Sequence, residues 1–176
     1  MSMNHNRRAG ARDPGSRDLG TREAGDAGAF ARVRDYVTVQ VDGQWLGLPI
    51  ERVHDVFVVS EMTPVPLASV EIAGLLNLRG RVVTAVSLRR RLGLADAPAQ
   101  ERRMAVGLEH QGEAYGLLVD QVGEVLKLAP EGLQPNPVHL DPRWAGLSQG
   151  VHQLQASLLI ILNVDHILTF NTQIAA

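Results

Sequence analysis

The sequence predicts an all-β domain assembled from two related halves with short connecting helices, behind a leader too poor in apolar residues to fold. Three features lead there. From Tyr36 onward, apolar and polar residues alternate with the two-residue period of a half-buried strand. Glycines and prolines then punctuate the chain at short intervals. A weak internal repeat relates its first part to its second.

The leader comes first. Pentads open at Gly10, Gly15 and Gly20 (GARDP, GSRDL, GTREA), each a Gly, a small residue, an Arg, an acid and a variable position. Charges alternate in sign and little apolar surface is available to offset the entropy of ordering. Residues 1–32 are therefore expected to form a disordered tail, with the folded domain spanning 33–172. At its start, Val37, Val39 and Val41 alternate with Thr38 and Gln40, Asp42-Gly43 turns the chain, and Leu46, Leu48 and Ile50 resume the alternation. That is a β-hairpin with a favoured two-residue turn.

A shift of 69 positions brings Val37 onto Val106, Gly43 onto Gly112, Leu48 onto Leu117, Val53 onto Val122 and Asp55 onto Glu124. A shift of 76 superposes Gly74–Leu88 on Gly150–Val164, the extra residues falling in the loop that holds Pro130, Pro135, Pro137 and Pro142. Each half, about 36–94 and 102–168, then reads hairpin, loop, hairpin, short helix. Units of this size need a shared core to be stable, and barrels or a sandwich both satisfy the pattern.

Composition narrows the function. The 176 residues carry a net charge of −2, which offers nucleic acid no electrostatic footprint. There is no cysteine, hence no disulfide and no thiolate metal site. The first residues lack the apolar segment of a secretory signal, and the longest apolar run, Leu158–Leu162, is too short to span a bilayer. A cytoplasmic protein without direct membrane insertion is expected.

Reactive motifs are weak. Gly146-Leu147-Ser148-Gln149-Gly150 matches G-x-S-x-G, but that nucleophile elbow needs a strand before the serine and a helix after it, whereas a proline-rich loop precedes Ser148 and a strand pattern follows. His5, His54, His110, His139, His152 and His166 show no metal-ligand spacing and read as surface or turn histidines. Arg89, Arg90 and Arg91 read as the solvated face of a short helix. No phosphate-binding glycine loop occurs in a strand-to-helix setting. With no cofactor, metal or catalytic group indicated, an interaction module remains.

One stretch stands out. In Asn77-Leu78-Arg79-Gly80 an arginine interrupts a core-strand pattern, and in the second half Gln155 and Ala156 stand where Arg79 and Gly80 stand. The turn itself therefore does not demand an arginine. Taken with "IAGLLNLRGRVV" (Ile72 to Val83), "YGLLVDQVGEVL" (Tyr115 to Leu126) and "LLIILNVDHIL" (Leu158 to Leu168), the stretch from about Tyr36 to Phe170 resembles the CheW-like chemotaxis coupling proteins.

That resemblance implies two intertwined five-stranded SH3-like β-barrels and an adaptor without catalysis. Its partners would be the cytoplasmic tip of a methyl-accepting chemoreceptor and the regulatory domain of a CheA-type histidine kinase, in a chemotaxis array or a related surface-sensing or pilus-control pathway. The family's receptor-facing arginine is carried onto Arg79 and its acidic partner, on the second strand of the first hairpin, onto Asp55; Val53, Gly74, Asn77 and Gly80 complete the receptor-binding set. The sequence departs from the family pattern in Asp55, usually a glutamate, in Thr84, often a proline, and in Ser87, often an aspartate. Two other readings stand beside this one: a regulatory β-module that binds a small ligand or another protein, and a small serine hydrolase built on Ser148.

Overall fold

The structure is a computed structural model that describes residues 32–99 and 102–170. The tail expected over residues 1–32 thus lies, but for its last residue, outside the described residues. Among the described residues, eleven strands, three short helices and two 3-10 turns follow one another. The first hairpin is β1 (Arg34–Val41) and β2 (Gln44–Pro49), and a 3-10 turn at Ile50–Arg52 leads to β3 (Val53–Val58). Then come β4 (Ile72–Leu78), β5 (Arg81–Ser87) and α1 (Leu88–Arg91), the second hairpin β6 (Met104–His110) and β7 (Glu113–Val119), and β8 (Gln121–Leu128). After the second 3-10 turn, Pro130–Gly132, the chain ends in β9 (Leu133–Gln134), α2 (Pro142–Leu147), β10 (Ser148–Gln153), β11 (Leu158–Leu162) and α3 (Val164–Leu168).

The strands form two sheets, in the orders β8-β1-β2-β11-β10-β9 and β3-β6-β7-β5-β4, which make two SH3-like barrels. Each sequence half contributes to both. The first hairpin joins β8, β10 and β11 of the second half, while β3, β4 and β5 join the second hairpin. This interleaving follows from the 3-10 turn, which ends β2 at Pro49 and sends β3 to the other sheet instead of extending the hairpin. The internal repeat holds at the level of register. Val37 faces Val125 as Val106 faces Val56, and the parallel pair Ile160–Leu46 repeats the parallel pair Thr84–Tyr115.

One large core joins the barrels. Val39, Val41, Leu46 and Leu48 from the first sheet pack with Val86, Val106, Leu108 and Leu117 from the second, and Leu88, Val164 and Ile167 close the ends. Both terminal helices start at a polar cap. Ser87 Oγ accepts from the Arg90 N–H and Asn163 Oδ1 from the His166 N–H, so a side chain satisfies a first-turn amide of each helix.

Two expectations about charged and polar residues change. The arginine run is not a solvated face. Arg89 grips Asp120 with two hydrogen bonds of 2.8 and 2.7 Å, Arg90 grips Asp96 with two of 2.7 Å, and Arg91 donates to the His166 carbonyl and lies over the Phe170 ring. Three consecutive arginines on a helix of one turn point in three directions, and each direction meets a different neighbour. Burial works against the Asp120 carboxylate, but hydrogen bonds from Arg89 and from the Asp42 N–H outweigh it and hold its pKa below the ordinary value.

Nor is His152 a surface histidine. It is 4 % exposed, stacks obliquely on Tyr36, and leaves Nε2 without a partner among the described residues. The repeat places it on Leu76, a core position, so an apolar slot has been filled by an imidazole. Burial pushes its pKa down.

Arg89→Ala leaves Asp120 half-buried without its counter-ion and is expected to cost about 2 kcal/mol in urea unfolding, the scale of a charge-assisted hydrogen-bonded pair. His152→Leu is expected to raise stability by about 1 kcal/mol by removing an unsatisfied buried nitrogen. The sign of its pH effect follows from the lowered pKa. The neutral imidazole contributes fully above its unfolded value and loses that contribution as pH falls below it. The wild type should therefore weaken on mild acidification by more than His152→Leu does, as thermal melts across the range would show.

Candidate functional site

The candidate site is the end of the second barrel where the β4–β5 turn approaches β3. Leu78 pairs with Arg81, which leaves Arg79 and Gly80 as the two turn residues. Both have positive φ, 51° and 83°, the mirror-image turn that suits the twist of a hairpin. Asp42-Gly43 and Gln111-Gly112 make the same turn in the β1–β2 and β6–β7 hairpins. Glycine adopts this geometry freely and aspartate tolerates it, whereas Arg79 and Gln111 each carry a left-handed cost on the order of 1 kcal/mol. Asn77 steadies the turn, its Oδ1 accepting from the Gly80 N–H at 2.9 Å.

The Arg79 side chain is 83 % exposed and its ionic contact is with Asp55, Nη2 to Oδ2 at 3.4 Å. An ion pair this exposed contributes roughly 0–1 kcal/mol. It does no more than offset the strain of the turn.

Asp55 is not on the second strand of the first hairpin, as expected, but on β3, beyond the 3-10 turn that breaks the hairpin off. The register of β3 against β6 slips between Val53 and Asp55, so His54 is the extra residue of a bulge. Bulges re-aim the side chains beside them. Here Asp55 Oδ1 accepts from the Val56 N–H at 2.8 Å, which leaves Oδ2 turned to Arg79.

The other residues of the expected set have positions that the fold explains. Val53 is half-buried against the large core. Gly74 lies at a register slip in the β4–β5 pair, where an isolated bridge joins Thr63 to Leu75; a Cβ at Gly74 would come within 2.5 Å of the Thr63 carbonyl. Asn77 and Gly80 shape the turn. Of the six, the structure brings Asp55 and Arg79 together as side chains and gives the other four to the scaffold.

Beside the pair opens a cleft of about 200 Å³, lined among others by His54, Asp55, Leu78, Arg81, Leu108 and Tyr115. Sequence reading missed His54, Arg81 and Tyr115. Arg81 has no ion partner among the described residues. Tyr115 donates its hydroxyl to Glu113 at 2.9 Å, and burial, helped by that carboxylate, raises its pKa. The repeat held a signal for Arg81, since its counterpart is Ser157 and the fold does not call for a cation there. Val56, Val58 and Val82 lie exposed on β3 and β5, so apolar surface flanks the charges.

The chemical motifs resolve differently. Ser148 opens β10 after α2, helix then strand, the reverse of a nucleophile elbow, and its Oγ lies 2.7 Å from Asn136 Oδ1. His110 Nδ1 sits 3.0 Å from Asp165, whose pKa is lowered to about 2 chiefly by its hydrogen bonds from Arg52. Among the described residues no group of three or more His, Cys, Asp and Glu could hold a metal ion, and no helix is long and apolar enough to cross a membrane. A shallow cleft of mixed charge, an exposed ion pair and an apolar flank suit the recognition of another macromolecule.

Comparison with known proteins bears on the family and the fold. The family model described as CheW-like domain matches residues 35–171. The chain is similar to the chemotaxis protein CheW of Rhizobium meliloti, 25 % identical over 134 residues that cover 76 % of this chain and 86 % of that one. It is 27 % identical to the chemotaxis protein CheW of Thermotoga maritima, over 76 % of this chain and 87 % of that one. Among solved structures, the scaffolding protein CheW of Thermoanaerobacter tengcongensis superposes with a TM-score of 0.70 at 24 % identity, over 79 % of this chain and 94 % of that one. The family model spans most of the chain, and the conclusion is plain: the chain belongs to the CheW-like family.

Proposed function

We propose that the protein is a non-catalytic adaptor that couples chemoreceptor cytoplasmic tips to a CheA-type histidine kinase in a membrane-associated array. The receptor docks on the Arg79 turn and Asp55. The observation that carries this reading is Arg79 itself. An arginine that is 83 % exposed and held by one weak ion pair is not kept for folding. The chemotaxis relatives and the neighbour titled a scaffolding protein support the same direction.

In this reading Asp55 positions the guanidinium, and Val53, Gly74, Asn77 and Gly80 set the backbone that presents it. The departures in Asp55 and Ser87 are compatible with it: the shorter carboxylate still reaches Arg79 at 3.4 Å, and Ser87 still caps α1. The regulatory domain of the kinase meets apolar strand surface elsewhere on the barrels.

Arg79→Asn tests this most cleanly, because asparagine tolerates positive φ. Unfolding stability is expected to stay level or to rise by up to about 1 kcal/mol, while receptor binding in a pull-down titration weakens by roughly 2 kcal/mol, about thirtyfold. Gln155→Ala, at the equivalent place, should change neither. Intact coupling in Arg79→Asn would move the receptor site elsewhere. Kinase binding should be only modestly salt-dependent, falling less than about tenfold between low and physiological salt. A steeper loss would show that an ionic surface, not an apolar one, makes that contact.

A further inference from the structure

Because the barrels repeat each other strand for strand, the cleft beside Asp55 has a counterpart in the first barrel. That cleft is larger, about 360 Å³, and is lined among others by Thr38, Trp45, Glu124, Leu126, Leu154 and Leu159. The repeat maps Asp55 onto Glu124, Leu78 onto Leu154, Val83 onto Leu159 and Ala114 onto Trp45. Even the bulge is reproduced. The β1–β8 register slips between Val37 and Val39, and Glu124 follows it as Asp55 follows the slip at Val53.

Two differences set the clefts apart. In the second barrel an arginine of the same chain faces the acid. In the first, Gln155 takes that place in a longer loop, where the Leu154 N–H donates to the Ser157 carbonyl at 2.8 Å, and the Glu124 carboxylate has no hydrogen-bond or ion partner among the described residues. Lys127 is three positions along β8, on the strand's other face, and does not neutralise it. The second difference is the indole. A Cβ at Gly123 would lie 2.8 Å from the Trp45 ring and 2.5 Å from Thr38 Oγ1, so glycine is what lets Trp45 lie against β8 beside the acid. Thr38 Oγ1 in turn donates to the Glu124 carbonyl at 2.7 Å and fixes the backbone that carries the carboxylate.

An indole, three leucines and an unpaired carboxylate in one cleft match one side chain in particular. Arginine lays an apolar stem along apolar walls, stacks its planar guanidinium on an aromatic ring, and pairs with a carboxylate through its fork of donors. We propose that the first-barrel cleft receives an arginine side chain of a partner protein, which supplies in trans the cation that Arg79 supplies in cis to the second barrel. The proposal rests on Glu124 and Trp45 and stands whether or not receptors dock at Arg79.

The test uses the full chain and two peptides, acetyl-Leu-Arg-Gly-amide, copied from the Leu78–Gly80 turn, and its citrulline analogue, the same shape without charge. Binding is read from the NMR shift of the Trp45 indole N–H, with the Trp144 indole, on α2, as internal control. The arginine peptide is expected to shift Trp45 saturably and the citrulline peptide to bind about fivefold more weakly or worse, the contrast set by a desolvated cation–carboxylate and cation–π contact. Glu124→Gln should abolish the difference between the peptides, and Asp55→Asn should leave it intact. The proposal falls if the arginine peptide gives no saturable shift, if both peptides bind alike, or if Glu124→Gln has no effect. Because Glu124 is exposed, its substitution does not endanger the fold, and a thermal melt of that variant confirms this alongside.

Discussion

Burial of one apolar layer between the two barrels is the interaction on which everything else in this protein depends. Each barrel has a small core of its own, Leu76, Val83, Ala85, Ala105 and Leu118 in one and Tyr36, Leu159 and Ile161 in the other. The large core draws on both sheets and on the terminal helices. Units of about 65 residues expose too much of their surface to hold together on such small interiors. The interleaved path of the chain makes the arrangement cooperative, since β3 cannot leave the second barrel without pulling on β2 in the first.

Ion pairs pin the seams where the chain crosses, and the repeat makes their logic visible. Arg89, one residue into α1, holds Asp120 between β7 and β8; its counterpart one residue into α3 is Asp165, which is held by Arg52 at 2.8 Å between β2 and β3. The corresponding junction is fastened in both halves with the charges reversed, although Arg52 stands one position beyond Glu51, the counterpart of Asp120. What the fold requires there is a complementary pair, and either polarity supplies it. The two pairs differ in depth. Arg89 and Asp120 are each 15 % exposed while Asp165 is more than half exposed, so screening by solvent leaves the second worth less.

Among the described residues, Asp42, Leu67, Arg79 and Gln111 adopt positive φ, three of them at hairpin turns. Of the three like turns, one carries an aspartate, which tolerates the geometry, and the other two carry Gln111 and Arg79, which the backbone does not favour there. The neighbouring ladder absorbs this without distortion because Asn77 satisfies the Gly80 amide and Leu78–Arg81 closes the turn. Strain held at an exposed tip by a rigid surround is the arrangement expected of a recognition element.

The sequence by itself determined much of this. Alternation from Tyr36, the Asp42-Gly43 turn and the repeat predicted the hairpins and the equivalence of the halves, because those signals are local, even though strands such as β1 and β2 are buried on both faces. The family resemblance pointed to Arg79 and Asp55 as a pair. Only the tertiary structure decided which sheet each strand joins, since a three-residue turn at Ile50–Arg52 diverts β3 and leaves no periodic trace. It also decided the fates of Arg89, Arg90 and Arg91, of His152, and of the clefts beside Asp55 and Glu124. A side chain's partners there come from residues tens of positions away, and whether a charge is solvated or clasped depends on what the fold brings to it.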